Sequence, residues 1–230
     1  MGDRDRKTAL YDQFARVGKA LASGKRLELL DLLAQGERSV DALARAADLG
    51  LTSTSAHLQT LRQAGLVMAR RDGTRVHYSL AGDDVAGLYT ALRSVAHGHL
   101  TDVEAARVAY LGLAGDAGRP GHGGVEEVTR DGLLDKVRSG EVVVLDVRPA
   151  EEYAHGHVPG ALGIPLDELA ARLAELPAGA HVVAYCRGAY CVLAHDAVRI
   201  LHAHGRNAAR LADGMLEWRL AGLPVARGAA

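Results

Sequence analysis

The sequence predicts two domains of different class: an N-terminal half that is mainly α, with a helix-turn-helix and a β-hairpin, and a C-terminal α/β half on a parallel sheet. Three observations carry this. The stretch Ala114-Gly115-Asp116-Ala117-Gly118-Arg119-Pro120-Gly121-His122-Gly123-Gly124 holds five glycines and a proline and almost nothing to bury, which is linker composition. Before it, apolar residues recur at helical spacing; after it, short valine-rich runs alternate with helical stretches. The expected domains are therefore 1–113 and 125–230, joined by 114–124. The 230 residues, 48% hydrophobic and 24% charged, can fill two small cores and exclude a disordered chain, a collagen-like repeat and a membrane bundle. Seven Tyr, one Trp and one Phe are too few for a binder that stacks single-stranded bases on aromatic platforms, whereas duplex DNA remains open. The charged opening Met1-Gly2-Asp3-Arg4-Asp5-Arg6-Lys7 runs straight into an amphipathic pattern, so no secretory signal and no membrane contact are expected, and the expected compartment is the cytoplasm.

In the first half, Leu10, Phe14, Val17 and Leu21 mark one helix, and Leu27, Leu30 and Ala34, bounded by Gly24 and Gly36, mark a second. Ser39 is the expected N-cap of a short third helix through Leu43, Ala46 and Ala47. Leu49-Gly50-Leu51 supplies a tight turn, and a fourth helix opens at Thr52 or Ser53 and buries Thr54, Leu58 and Leu61, which is helix-turn-helix spacing. Gly65 stops it. Leu66 to Arg71 and Arg75 to Leu80 then read as a hairpin about Asp72-Gly73-Thr74. A long helix from about Asp83 to Leu113 follows, with Leu88, Leu92, Val95, His99, Val103, Ala106 and Tyr110 on one stripe. Residues 1–113 carry a net charge of +2 and 114–230 a net −3, which points nucleic acid to the first half.

The run Thr52-Ser53-Thr54-Ser55-Ala56-His57-Leu58-Gln59-Thr60-Leu61-Arg62-Gln63-Ala64-Gly65-Leu66-Val67, in this setting, resembles the recognition helix of the ArsR family of winged-helix repressors. The resemblance implies a homodimer through the first and last helices, a recognition helix in the major groove of a double-stranded DNA operator, and the hairpin as a wing against the backbone. With Thr54, Leu58 and Leu61 inward, Thr52, Ser53, Ser55, Ala56, Gln59 and Arg62 are left to face DNA, and Arg70, Arg71 and Arg75 on the wing to meet phosphates. Metal-sensing members carry Cys-x-Cys, or Asp-x-His with further ligands. Here the matching segments are Ser39-Val40-Asp41-Ala42-Leu43-Ala44 and Asp83-Asp84-Val85-Ala86, so no metal is expected. His97 and His99, two apart on a helix, chelate poorly, and His99, His202 and His204 read as satisfied structural histidines.

In the second half, Val142 to Leu145 and Val182 to Tyr185 read as buried strands, and Leu166 to Leu176 and Leu193 to His204 as helices. The chain's two cysteines, Cys186 and Cys191, follow the second strand. A cysteine between a strand and a helix start can place its sulfur in a ring of backbone N–H groups, which stabilises a thiolate or persulfide.

Four ordered segments resemble the rhodanese family: Asp146-Val147-Arg148 with Glu151-Glu152-Tyr153; Gly156-His157-Val158-Pro159-Gly160-Ala161 through Ile164-Pro165; Cys186-Arg187-Gly188-Ala189-Tyr190-Cys191; and Asp213-Gly214 with Trp218. The resemblance implies a rhodanese-like parallel sheet and sulfane-sulfur transfer from a small anionic donor to a thiol acceptor, without a cofactor. Cys186 would be nucleophile and persulfide carrier. Arg187 would attract the donor, and the N–H groups of residues 187 to 191, through Gly188, Ala189 and Tyr190, would hold the charge. Cys191 stands where the family has a basic or hydroxyl residue. It reads either as a thiol that resolves the persulfide to a disulfide or as a small buried hydrophobe. Val192 in place of an arginine excludes the Cys-x5-Arg oxyanion chemistry of phosphatases and arsenate reductases. Three readings follow: a DNA-binding regulator with a sulfur-sensing domain, a thiosulfate-type sulfurtransferase that uses the winged helix for dimerisation or recruitment, and a degenerate rhodanese that only binds.

Overall fold

The computed structural model describes residues 2–112, 125–140 and 142–228; the expected linker, 114–124, lies outside the described residues. Two compact units, Met1–Ser94 and Val95–Ala230, are described in turn.

The first unit runs α1 (Asp3–Leu21), α2 (Gly24–Leu33), β1 (Arg38–Ser39), α3 (Val40–Ala46), α4 (Leu51–Gln63), β2 (Val67–Asp72), β3 (Arg75–Leu80) and into α5 (Asp83–His99). Its core joins Leu29, Leu30 and Leu33 of α2 to Leu43 of α3, Leu58 and Leu61 of α4, and Val67 and Tyr78 of the hairpin. The Ser39 hydroxyl accepts the Ala42 N–H at 3.2 Å, the expected cap of α3. The helix-turn-helix corner departs from expectation. Asp48, not a glycine, takes the left-handed conformation, with φ of 48°. Its short polar side chain tolerates that region, and Gly50 (φ −66°) serves as the N-cap of α4, so the helix opens at Leu51 rather than Thr52. Thr54, Leu58 and Leu61 are buried as their spacing requires, and the Thr54 hydroxyl donates back to the Gly50 carbonyl. The hairpin register, Val67↔Leu80 to Asp72↔Arg75, leaves Gly73-Thr74 as the two-residue loop, and Gly73 supplies the positive φ (57°) such a loop needs.

The second unit holds the end of α5, α6 (Thr101–Tyr110), β4 (Glu127–Val128), α7 (Arg130–Arg138), β5 (Val142–Asp146), α8 (Ala150–His155), β6 (Leu162–Gly163), α9 (Leu166–Leu169), β7 (His181–Tyr185), α10 (Val192–Ala203), β8 (Ala208–Leu211) and α11 (Met215–Leu220). The sheet has strand order β4-β8-β7-β5-β6 with every pairing parallel. Alternation along β7 sends Val182 and Ala184 to the face under α9 and α10 and Val183 and Tyr185 to the face under α11. Carried one residue past the strand, it puts Cys186 on the α10 face.

Two expected helices are shorter than their apolar stripes. The one from Asp83 breaks at Leu100, whose ψ of 116° is extended; Gly98 weakens the end of α5, and Asp102 and Glu104 start α6 afresh. The stretch from Leu166 ends at Leu169, apart from a 3-10 turn at Leu173–Glu175, because Arg206 takes the carbonyls of Leu173, Leu176 and Pro177 that a helix would otherwise occupy. Among the described residues no helix is long and apolar enough to cross a membrane.

Candidate functional site

The loop Cys186–Cys191 leaves the C-terminal end of β7 and enters α10, with Cys191 as the N-cap residue. The first turn of α11 holds it from below: the Met215 and Leu216 N–H groups donate to the carbonyls of Cys186 and Arg187 at 2.9 and 3.0 Å. Backbone approaches backbone so closely here that a Cβ on Gly214 would lie 2.3 Å from the Gly188 nitrogen. The Glu217 carboxylate accepts the Gly214 N–H at 3.1 Å and fixes the turn.

Both cysteines are reduced and buried, Cys186 to 1% exposure. The Cys186 Sγ lies 3.5 Å from the Cys191 carbonyl oxygen and 3.9 Å from that of Gly188, the acceptors its S–H reaches. Burial pushes the Cys186 thiol well up, while the hydrogen bond from Cys186 holds Cys191 down, helped by backbone N–H groups of Arg187 and Leu193. The two thiols are therefore pushed in opposite directions, Cys186 up by its burial and Cys191 down by its hydrogen-bond donors.

Two expectations about the loop need correction. The Cys191 N–H is not available to a bound anion, because it closes a turn onto the Gly188 carbonyl at 3.0 Å. The donors that face the Cys186 sulfur are the N–H groups of Gly188 and Ala194, the second of which lies in α10, outside the expected 187–191 set. Arg187 does not offer an open positive charge either. Its guanidinium grips the buried Glu152 of α8, with Nε 3.0 Å from both carboxylate oxygens and Nη2 2.6 Å from Oε1. Ala189 and Tyr190 form the turn between, half-buried, and the Tyr190 ring meets that of His97 edge-on at 6.3 Å. Glu152 was visible in the sequence only as part of a motif, and nothing there signalled the N–H groups of Leu193 and Ala194.

Beyond the loop, Asp146 and Arg148 form a fully buried ion pair at 2.6 Å, and Arg148 also donates to the Gly156 carbonyl. His157 stacks on Tyr153 at 3.7 Å. His202 and His204 each reach a backbone carbonyl, of Ala208 and Ile200, as structural histidines do. A cavity of about 420 Å³ opens between the residues that follow β5 and β6 and the cysteine loop, at the carboxyl ends of the strands where ligands of open α/β sheets bind.

In the first unit, Thr52, Ser53, Ala56, Gln59 and Arg62 are exposed on one side of α4 and Ser55 is half-buried beside them. On the hairpin, Arg71 and Arg75 are exposed and make no ion pair among the described residues. Arg70, also exposed, is paired within the domain: its guanidinium forks onto Glu37 at 2.9 and 2.8 Å and lies 3.5 Å from Asp72, carboxylates with which a phosphate would compete.

Comparison with known proteins agrees with both halves. Residues 23–69 match the family described as bacterial regulatory protein, arsR family, and residues 129–221 match the rhodanese-like domain. An HTH-type transcriptional regulator of Mycobacterium tuberculosis is 57% identical over 99% of this chain and 96% of its own length. A sulfurtransferase of Allochromatium vinosum is 30% identical over 44% of this chain and 94% of its own. The solution structure of the homodimeric winged helix-turn-helix DNA-binding domain of a Mycobacterium bovis protein is 59% identical, covers 44% of this chain and 93% of that one, and has a TM-score of 0.41.

Proposed function

The chain belongs to the arsR family of bacterial regulatory proteins, with a rhodanese-like domain behind the winged helix, and on that premise we propose that it is a homodimeric repressor whose DNA affinity follows the sulfur state of Cys186. Gln59 and Ser55 read base edges in the major groove, and Arg71 and Arg75 meet phosphates from the wing. The observation that carries the sensor reading is the thiol pair: the chain's only two cysteines are both buried in one loop between β7 and α10, with the Cys186 Sγ 3.5 Å from the Cys191 carbonyl oxygen.

The chemistry balances without an outside oxidant. The Cys186 thiolate attacks the outer sulfur of a sulfane donor, forms Cys186–S–S–H, and expels the donor's remaining thiolate or sulfite. Cys191 then attacks the inner sulfur and its proton leaves with the departing sulfur; a Cys186–Cys191 disulfide forms and hydrogen sulfide is released. A cellular thiol reduces the disulfide and resets the loop. Either product alters a loop held on both sides by α10 and α11, and DNA binding responds to the extent that the two dimer states differ in free energy.

The test is a titration of the chain's own promoter with the full-length protein before and after polysulfide, with persulfide followed by mass spectrometry. Wild type is expected to gain sulfur and lose at least about tenfold in DNA affinity, a shift of ~1.4 kcal/mol. Cys186→Ser should do neither, and Cys191→Ser should gain sulfur but form no disulfide. If persulfidated wild type binds with unchanged affinity, the sensor reading is wrong, and the sulfurtransferase reading, to which the Allochromatium relative points, takes its place.

A further inference from the structure

The cavity beside the cysteine loop carries information about which sulfur donor it takes. Its walls are apolar: Val147, Pro149, Ala150, Pro165, Leu166 and Leu193. Its charged lining is Asp167, Glu168 and Arg187. Arg187 is neutralised by the buried Glu152 on which it forks. Glu168 shares Arg172 with Glu175, so one cation serves two carboxylates and one negative charge is left over. Asp167 is exposed and makes no ion pair among the described residues. The nearby Arg206 spends its guanidinium on carbonyl oxygens and does not line the cavity. The mouth therefore presents apolar surface under a net negative field, the reverse of what a small hydrated dianion needs.

We propose that this cavity selects a low-molecular-weight organic hydropersulfide bearing a protonated amine, and discriminates against thiosulfate and other anionic donors. The inference rests on the reading of Cys186 as a persulfide carrier and adds the donor class. The apolar walls take the carbon skeleton, Asp167 pairs with the ammonium, and the terminal S–S–H points toward the loop. The Cys186 thiolate attacks the outer sulfur, the new S–S bond forms, the old S–S bond breaks, and the departing thiolate takes up the proton that Cys186 gave up. Two thiols and one sulfane sulfur enter the step and leave it, with no change in overall oxidation state.

The experiment compares loading of full-length protein by cysteamine hydropersulfide, by the hydropersulfide of 3-mercaptopropionate, and by thiosulfate, with the rate of sulfur gain at Cys186 read by mass spectrometry. At low salt the amine-bearing donor is expected to load at least about tenfold faster than either anionic donor, and the ratio should shrink as salt screens the field. Asp167→Lys should reverse the order, speeding the anionic donors and slowing the amine. The wild-type salt dependence gives a reading even if that variant folds poorly. Equal or faster loading by thiosulfate or the carboxylate-bearing donor, with no salt effect on the ratio, overturns the donor class alone. Failure of every donor to add sulfur overturns the carrier role of Cys186 itself.

Discussion

Arg187 shows how one side chain can be misjudged from its position next to a cysteine. In the sequence it reads as a lure for an anion; in the fold it is the counter-charge of Glu152, a carboxylate with 1% side-chain exposure, 35 residues earlier in the chain. Truncating it would strand a buried negative charge, and breaking a buried pair from one side costs about 3–5 kcal/mol. Because Arg187 keeps 22% exposure, the lower end applies, about 3 kcal/mol. Arg187→Ala is thus expected to lower the unfolding free energy by that amount, and the double variant Arg187→Ala/Glu152→Gln to recover part of it, both read by urea denaturation. An Arg187→Ala protein of unchanged stability that still lost sulfur loading would return the residue to the donor-binding role. The cysteines were legible because a thiol placed between strand and helix has few chemistries open to it. The opposite directions in which their surroundings push the two thiols were not, since these depend on which sulfur is buried deeper and which N–H groups point at each.

At the scale of elements, period and punctuation were readable wherever the hydrophobic pattern and the backbone agree. Thr54, Leu58 and Leu61 on α4, the Gly73 hairpin and the two valine strands fall where their spacing puts them. The departures occur where tertiary hydrogen bonds replace helical ones, as Arg206 does after α9, or where a non-glycine residue accepts a left-handed turn, as Asp48 does. The loop that holds Cys186 depends most on an element nearly thirty residues downstream. Gly214 opens α11 directly beneath Arg187 and Gly188, and the atoms a Cβ would strike, at 2.3, 2.5 and 2.6 Å, are all backbone. No rotamer change can relieve that contact; the loop itself must move. Gly214→Ala is therefore expected to cut the rate of sulfur gain at Cys186 by at least about tenfold, since small misplacements at a reacting centre carry costs of that order or more. Gly179, with nothing within 4 Å of a Cβ, lies on a loop away from α11 and controls for general destabilisation, although its φ of 72° gives Gly179→Ala a strain of its own. Loading at the wild-type rate by Gly214→Ala would show that the close approach does not set the loop.

Across the chain, the described residues expose more apolar surface than the cores of the two units explain. On α1, Leu10, Tyr11 and Phe14 are each more than half exposed, although their spacing makes them a single stripe and the Tyr11 and Phe14 rings pack edge to face at 5.8 Å. Only Ala20 and Leu21, at the far end of this 19-residue helix, are buried. Val95 and Leu100 are likewise exposed. A lone exposed leucine needs no explanation, but an ordered aromatic and aliphatic stripe along a helix that meets the core only at its end marks a contact with another chain. The spacing of Leu10, Phe14, Val17 and Leu21 reports that a face is apolar and not whose surface covers it; the family resemblance supplied the cover, a second copy paired through the first and last helices. A second copy is the economical partner, since a twofold pair presents two recognition helices to two half-sites and makes the second contact intramolecular. Phe14→Glu places a charge in that stripe and touches neither α4 nor the cysteine loop. It is expected to yield monomers by sedimentation, to weaken operator binding by about a hundredfold or more through loss of the second half-site, and to leave the rate of sulfur loading at Cys186 unchanged. A Phe14→Glu protein that sediments as a dimer would place the pairing surface elsewhere. One that is monomeric yet binds the operator as tightly as wild type would show that recognition does not need the pair.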